Sequence, residues 1–71
     1  MLLDKTSIYI SMANAELNLG QLSEKAGVSR LTLYRILNNK QKPMPATVGK
    51  LAKALGVPVE TIILPTSKNK L

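Results

Sequence analysis

Residues 18–40, NLGQLSEKAGVSRLTLYRILNNK, decide how the chain folds, because they read as two short helices joined by a tight turn. In the second of them Val28, Leu33, Ile36 and Leu37 recur at spacings that set them along one side of a helix of ~3.6 residues per turn. Arg30, Leu31, Tyr34, Arg35 and Asn38 share another side. One flank suits a core and the other is left bare. The first helix of the pair is predicted over Leu19 to Ala26, with Leu22 and Ala26 inward and Glu24 and Lys25 outward. Gly27 ends it, since glycine takes the left-handed conformation at little steric cost. The chain then turns within three residues into Ser29 and a helix from Arg30 to about Leu37. Two helices held at a steep angle by so short a turn form a helix-turn-helix unit, which as a bare pattern also occurs in enzymes and scaffolds.

The same helix-start device appears along the rest of the chain. Apolar residues five apart bracket a polar cap at Leu3 and Ile8 around Asp4, at Leu17 and Leu22 around Asn18, and at Val28 and Leu33 around Ser29. Asp4 is placed as the N-cap of a first helix whose inner positions are Ile8, Met12 and Ala15. Ser7 to Ser11 alternates around Ile8 and Ile10, but helical periodicity over the longer window outweighs a strand. Gln21 adds a capping-box partner for Asn18, while Gly20 weakens that first turn by about 1 kcal/mol relative to alanine. Asn38 to Lys42 form a polar loop, and Pro43 and Pro45 bar regular helix until the chain restarts. Pro45 has a φ angle suited to a first turn. The fourth helix is expected over Ala46 to Leu55, with Val48, Leu51, Ala52 and Leu55 inward, Lys50 and Lys53 outward and Gly56 as cap. Val57 and Ile62 again stand five apart, so a short fifth helix is expected from about Pro58 to Ile63, turning Val59, Ile62 and Ile63 inward. The expectation is an all-α fold of five short helices in one domain over residues 1–64. Residues 65–71, PTSKNKL, hold too little apolar material to offset their ordering entropy and read as a flexible basic tail.

Composition narrows the function classes. A chain of 71 residues buries only about 60% of the surface it would expose unfolded, so stability is expected to be modest. There is no cysteine to form a disulfide or a thiolate metal site, and no histidine. The commonest catalytic base, nucleophile and zinc ligands are therefore missing, the four acids are scattered, and no glycine-rich phosphate loop is present. No enzymatic activity, cofactor, metal or small-molecule substrate is expected. No apolar run approaches the ~18 residues of a membrane span, and no secretory signal is seen, so a cytoplasmic protein is expected. The basic residues are broken up by turns, which argues against one long amphipathic membrane-surface helix. Net charge is +6, and the pI is about 10.0. Lys25, Arg30, Arg35, Lys40, Lys42, Lys50 and Lys53 span a region without an acid, whereas Asp4, Glu16, Glu24 and Glu60 lie outside it. Such a balance favours a polyanionic partner.

Two segments carry a family resemblance. LSEKAGVSRLTLYRILNNK, then the proline, then KLAKALGVPVETII resemble the phage Cro and lambda-type repressor family, also called Xre, over about Ile8 to Ile63. The resemblance implies a lambda-repressor-like five-helix DNA-binding domain, usually a dimer on a pseudo-palindromic operator, with the helix from Arg30 as recognition helix. The family commonly sets a glutamine near the start of its second helix to touch phosphate. Here Leu19 and Gly20 stand in that region with Gln21 adjacent. Several relatives pair a buried arginine on the first helix with an acid at the end of the third, and the matching positions here are Met12 and Leu37. An apolar pair is tolerable there, because a buried ion pair often roughly breaks even against packing.

The resemblance makes double-stranded DNA the expected partner. Arg30 and Arg35 can each reach guanine O6 and N7 or a phosphate. Thr32 can bond a base edge or phosphate, or simply be half-buried in the first turn. Ser29 is chiefly an N-cap, with any phosphate contact additional. Asn38, Asn39, Lys40 and Lys42 follow the recognition helix, where side chains and backbone N–H groups grip phosphate and position a protein without reading sequence. Leu31 suits a thymine methyl and Tyr34 a phosphate. Side by side, however, Leu31 and Tyr34 also make a small apolar patch of the kind that marks a protein contact. The chain resembles small temperate-phage modulators of repression in size, so docking onto a cognate repressor stays open as an alternative. A homodimer is open too, with Val57, Ile62, Ile63 and Leu64 as the available interface residues.

Overall fold

The computed structural model describes residues 2–64, and the expected tail at 65–71 lies outside them. The helices are α1 (Lys5–Ala15), α2 (Leu19–Ala26), α3 (Arg30–Leu37), α4 (Pro45–Leu55) and α5 (Val59–Ile62). The all-α, five-helix lambda-repressor-like fold expected from the sequence is present. α4 begins at Pro45, one residue earlier than expected, because the proline itself supplies the first helical position after Met44. α5 is shorter than expected, since Pro58 serves as its extended N-cap and Ile63 has already left the helix.

Each of the first three helices opens on a side-chain cap. Asp4 accepts the Ser7 N–H at 3.2 Å and the Ser7 hydroxyl at 2.8 Å. Asn18 and Gln21 form a reciprocal capping box, with Asn18 Oδ1 accepting the Gln21 N–H at 2.8 Å and Gln21 Oε1 accepting the Asn18 N–H at 2.9 Å. Ser29 Oγ accepts the Thr32 N–H at 3.1 Å.

The first four helices close alike. A left-handed residue, Glu16, Gly27, Asn39 or Gly56, bends the chain back, and the next N–H reaches a carbonyl five residues earlier. The donors of that second bond are Leu17, Val28, Lys40 and Val57. Leu17, Val28 and Val57 pack on or in the core and are also the staple residues of the following helix. One apolar side chain thus closes one helix and opens the next, and this is why the turns are so short.

The core gathers Ile8, Leu22, Leu33, Val48, Leu51 and Ile62, all essentially without exposed surface, together with Met12, Val28, Ile36 and Leu37. Met12 and Leu37, which stand where relatives carry an ion pair, are both buried. Ala26, expected inward, is only half-buried. α4 packs against α1, α2 and α5, while α3 is held by α2. A feature with no sequence signal closes the domain: the Asp4 N–H donates to the Ile62 carbonyl at 2.8 Å and the Leu64 N–H to the Leu2 carbonyl at 2.9 Å, around an antiparallel bridge between Leu3 and Ile63. Of the four residues available for a dimer contact, Leu64 keeps an exposed side chain and Val57 and Ile63 a partly exposed one. Ile62 is fully buried, Val57 and Ile63 pack against the core, and the backbone of Leu64 is occupied within the chain.

Candidate nucleic-acid interface

α3 sinks Leu33, Ile36 and Leu37 and turns Leu31, Tyr34 and both arginines outward. Leu31 is 58% and Tyr34 61% exposed, so neither joins the core. Arg30 and Arg35 are five positions apart, which at 3.6 residues per turn sets them roughly 140° apart around the axis. They form the two margins of one outward face, with Leu31, Tyr34 and Asn38 between them. On the α2 margin the Arg30 guanidinium rests on Gly20, where an added Cβ would lie 2.8 Å from Nη2 and 3.0 Å from Cζ. Gly20, read from the sequence only as a weakness of α2, is the seat of an arginine. A glycine in a first turn is the signal that could have shown it.

The turn beneath this face is pinned from inside. Buried Ser23 donates its hydroxyl to the Val28 carbonyl, and the Val28 N–H returns to the Ser23 carbonyl at 3.1 Å. Ser23 carries no sequence signal, because a serine on the flank of an apolar stripe has no distinguishing spacing. It fixes the angle at which α2 presents α3.

Several expected contact groups have internal duties. The Ser29 hydroxyl donates to Thr32 Oγ1 at 2.9 Å, so these two neighbours cap the helix together, and Thr32 is half-buried. Gln21 is exposed but its side-chain oxygen is taken by the capping box, leaving its amide NH₂ to face outward chemistry. Asn38 donates its side-chain amide to the Tyr34 carbonyl at 2.8 Å and so finishes α3. Backbone grips by residues 39 and 40 are corrected: the Asn39 N–H goes to Ile36 at 3.2 Å and the Lys40 N–H to Arg35 at 2.8 Å. The side chains of Asn39, Lys40 and Lys42 remain exposed.

The acid-free basic span of the sequence divides in space. Arg30, Arg35, Lys40 and Lys42 belong to α3 and its following loop, whereas Lys25, Lys50 and Lys53 line a separate groove of about 360 Å³ between α2 and α4, floored by Ala26 and Ala54. A smaller hollow of about 210 Å³ lies beside the α3 face between Leu19, Gly20, Arg30, Leu33 and Tyr34. Among the described residues no cluster of three acid, histidine or cysteine side chains could hold a metal, and no helix is long and apolar enough to cross a membrane.

Comparison with known proteins agrees with this geometry. No curated protein matches the chain. Native PhpD with cadmium atoms superposes with a TM-score of 0.78 at 24% identity, covering 99% of this chain and 15% of that one. A point mutant of hydroxyethylphosphonate dioxygenase gives 0.79, again at 24% identity, 99% of this chain and 15% of that one. This chain therefore corresponds to about 15% of the length of those structures, and what they share with it is the fold. Residues 12–62 match a helix-turn-helix family, HTH_3, and that stretch runs from within α1 through α5. The chain belongs to this Xre/Cro-like family of DNA-binding helix-turn-helix domains.

Proposed function

We propose that the chain is a transcriptional regulator of bacterial or phage type that lays α3 in the major groove of operator DNA. The observation that carries this reading is the division of α3 into a sunk flank and a bare flank edged by two arginines, with an exposed Lys40 and Lys42 directly after it. Arg35 stands free at one margin and is the base reader, through guanine O6 and N7. Arg30, seated on Gly20 beside the first turn of α2, holds the phosphate next to the groove as well as reaching the first base edge. Thr32 contributes a hydroxyl from the same turn. Gln21, through its free amide, and Asn39, Lys40 and Lys42, through their side chains, anchor the flanking backbone.

Arg35→Ala is expected to relax preference at a single base pair and to weaken specific binding by about 1 to 3 kcal/mol, whereas Lys42→Ala weakens all sequences alike. Fluorescence anisotropy on promoter and scrambled duplexes reads both. Unchanged sequence preference in Arg35→Ala overturns the assignment.

A second reading is favoured by the exposed Leu31 and Tyr34 and the apolar hollow beside them. In it the same face docks onto a cognate repressor protein. Size-exclusion chromatography of a mixture decides: a stoichiometric complex lost in Leu31→Ala or Tyr34→Ala supports this reading, and none at micromolar concentration removes it.

A further inference from the structure

The groove between α2 and α4 is a second basic surface, and the α3 face makes no use of it. Lys25 and Ala26 line it from α2, and Lys50, Lys53 and Ala54 from α4, without a residue of α3 or of the loop after it. All three lysines are exposed, while Ala54 is buried and Ala26 half-buried beneath them. No acidic side chain lines the groove. Glu24 precedes Lys25 in the chain but stands about 100° away around α2.

Part of this charge has an internal duty. Lys25 and Lys53 stand in the last turns of α2 and α4, where a cation offsets the exposed carbonyls. Lys50 lies one turn earlier and has no such duty. It is three residues from Lys53, a spacing at which like charges repel, and folding adds Lys25 across the groove. Three cations are gathered over a small apolar floor, and nothing within the groove offsets them.

Gly49, beside Lys50, supplies a second observation. It sits inside α4 without a positive φ, so no turn requires it. An added Cβ would meet nothing within 4 Å, so no neighbour requires it either. A glycine in mid-helix weakens the helix. What it provides is bare backbone on the outward side, because Ala46, Gly49, Lys50 and Lys53 share an arc of about 100° around α4. Another chain can approach closely there, between cations.

We infer that this groove docks an acidic, amphipathic segment of a partner protein, with carboxylates on the three lysines and an apolar side chain on Ala26 and Ala54. Charge selects the occupant first: a second copy would bring +6 against +6. The floor selects next, since a DNA backbone offers phosphates but no apolar side chain to fill an alanine hollow. The groove also lies away from the DNA anchors, with Lys53 eight residues or about 12 Å along α4 from Pro45, the end that follows Lys42. Groove and α3 share no residue, so the segment and a duplex can be held at the same time.

Nuclear magnetic resonance titration of the full chain with a synthetic peptide of repeated Glu-Glu-Leu tests this without any operator. Shifts concentrated at Lys25, Ala26, Gly49, Lys50, Lys53 and Ala54, with a Kd of about 0.1 to 1 mM, are expected. Lys50→Glu weakens the peptide about tenfold with the fold kept by circular dichroism, whereas Lys5→Glu, an equal change in net charge, weakens it less than about twofold. A peptide with serine in place of leucine binds about fivefold more weakly. Gly49→Gln also weakens binding about fivefold while raising the thermal midpoint, a combination that a purely structural glycine does not produce. Lys50→Ala leaves the salt dependence of duplex binding as it is. Shifts spread evenly over the cationic surface, equal losses in Lys50→Glu and Lys5→Glu, or indifference to Gly49→Gln or to the loss of leucine overturn the proposal. So does a salt slope lower by about one counterion in Lys50→Ala, which marks a second nucleic-acid contact instead.

Discussion

The two ends of α3 are finished by the same backbone geometry and put to opposite uses. Before it, left-handed Gly27 is followed by Val28, 8% exposed, whose N–H and carbonyl are both tied to Ser23. After it, left-handed Asn39 is followed by exposed Lys40, and the chain runs through Gln41 and Lys42 before buried Pro43 returns it to the core. The backbone bonds of the two turns are equivalent, so the difference lies in the residue after the left-handed one. An apolar side chain there pulls the chain directly into the next helix. A lysine sends it outward and leaves an exposed cationic loop directly after α3, beside Ile36 and the Leu2, Leu3 and Leu64 end of the domain.

Exchanging that one residue should separate stability from binding. Val28→Ala is expected to cost about 2 kcal/mol, since the side chain is buried and serves two helices. Lys40→Ala should leave stability within about 0.5 kcal/mol, yet lower the salt dependence of DNA binding by about one counterion. Urea denaturation and binding at two salt concentrations measure the pair. A large stability loss in Lys40→Ala would mean that the loop is as structural as the turn.

The left-handed residues themselves give a smaller contrast. Gly27→Ala meets no neighbour, so its cost is the backbone conformation alone, about 1 to 2 kcal/mol. Asn39→Gly relieves a milder strain and should stabilise by no more than about 0.5 kcal/mol. Equal effects of the two substitutions in denaturant titrations would erase the distinction between the turns.

This comparison also shows what the sequence could reveal. The five-residue staples around Asn18 and Ser29, the glycines at 27 and 56 and the prolines at 43 and 45 are local signals, and they located the helix boundaries to within a residue or so. The outward face of α3 was legible for the same reason, because one helical period sorts Leu33, Ile36 and Leu37 from Leu31, Tyr34 and Arg35. What escaped depends on contacts between elements. The pairing of Leu3 with Ile63 joins residues at opposite ends of the domain. The seat of Arg30 on Gly20 needs the relative placement of two helices. The division of the basic span into an α3 face and an α2–α4 groove needs the packing of α4. Side-chain duties were the remaining gap: Asn38 is a phosphate-gripping residue by position, yet its side-chain amide is used on the Tyr34 carbonyl.

The smallest expected effect lies where the chain enters α1, and it extends the contrast from turns to caps. Asp4 is both the cap of α1 and a partner in the terminal pairing with Ile62, whereas Ser29 caps α3 without a charge. The Ser7 hydroxyl first, and the Ser7 backbone N–H second, hold the Asp4 carboxyl below its ordinary value of 3.8. The unfolded chain lacks these donors, so its carboxyl binds a proton first as pH falls. The stabilisation is therefore complete above the unfolded value and drains away as pH drops through the lower folded one. Urea midpoints followed from about pH 5 to about pH 2 should decline in the parent protein, and the part of the decline due to this cap should vanish in Asp4→Asn, which keeps an acceptor for Ser7 but cannot titrate. An undiminished decline in Asp4→Asn would assign the acid sensitivity to other carboxylates and reduce Asp4 to a neutral cap, no different in kind from Ser29.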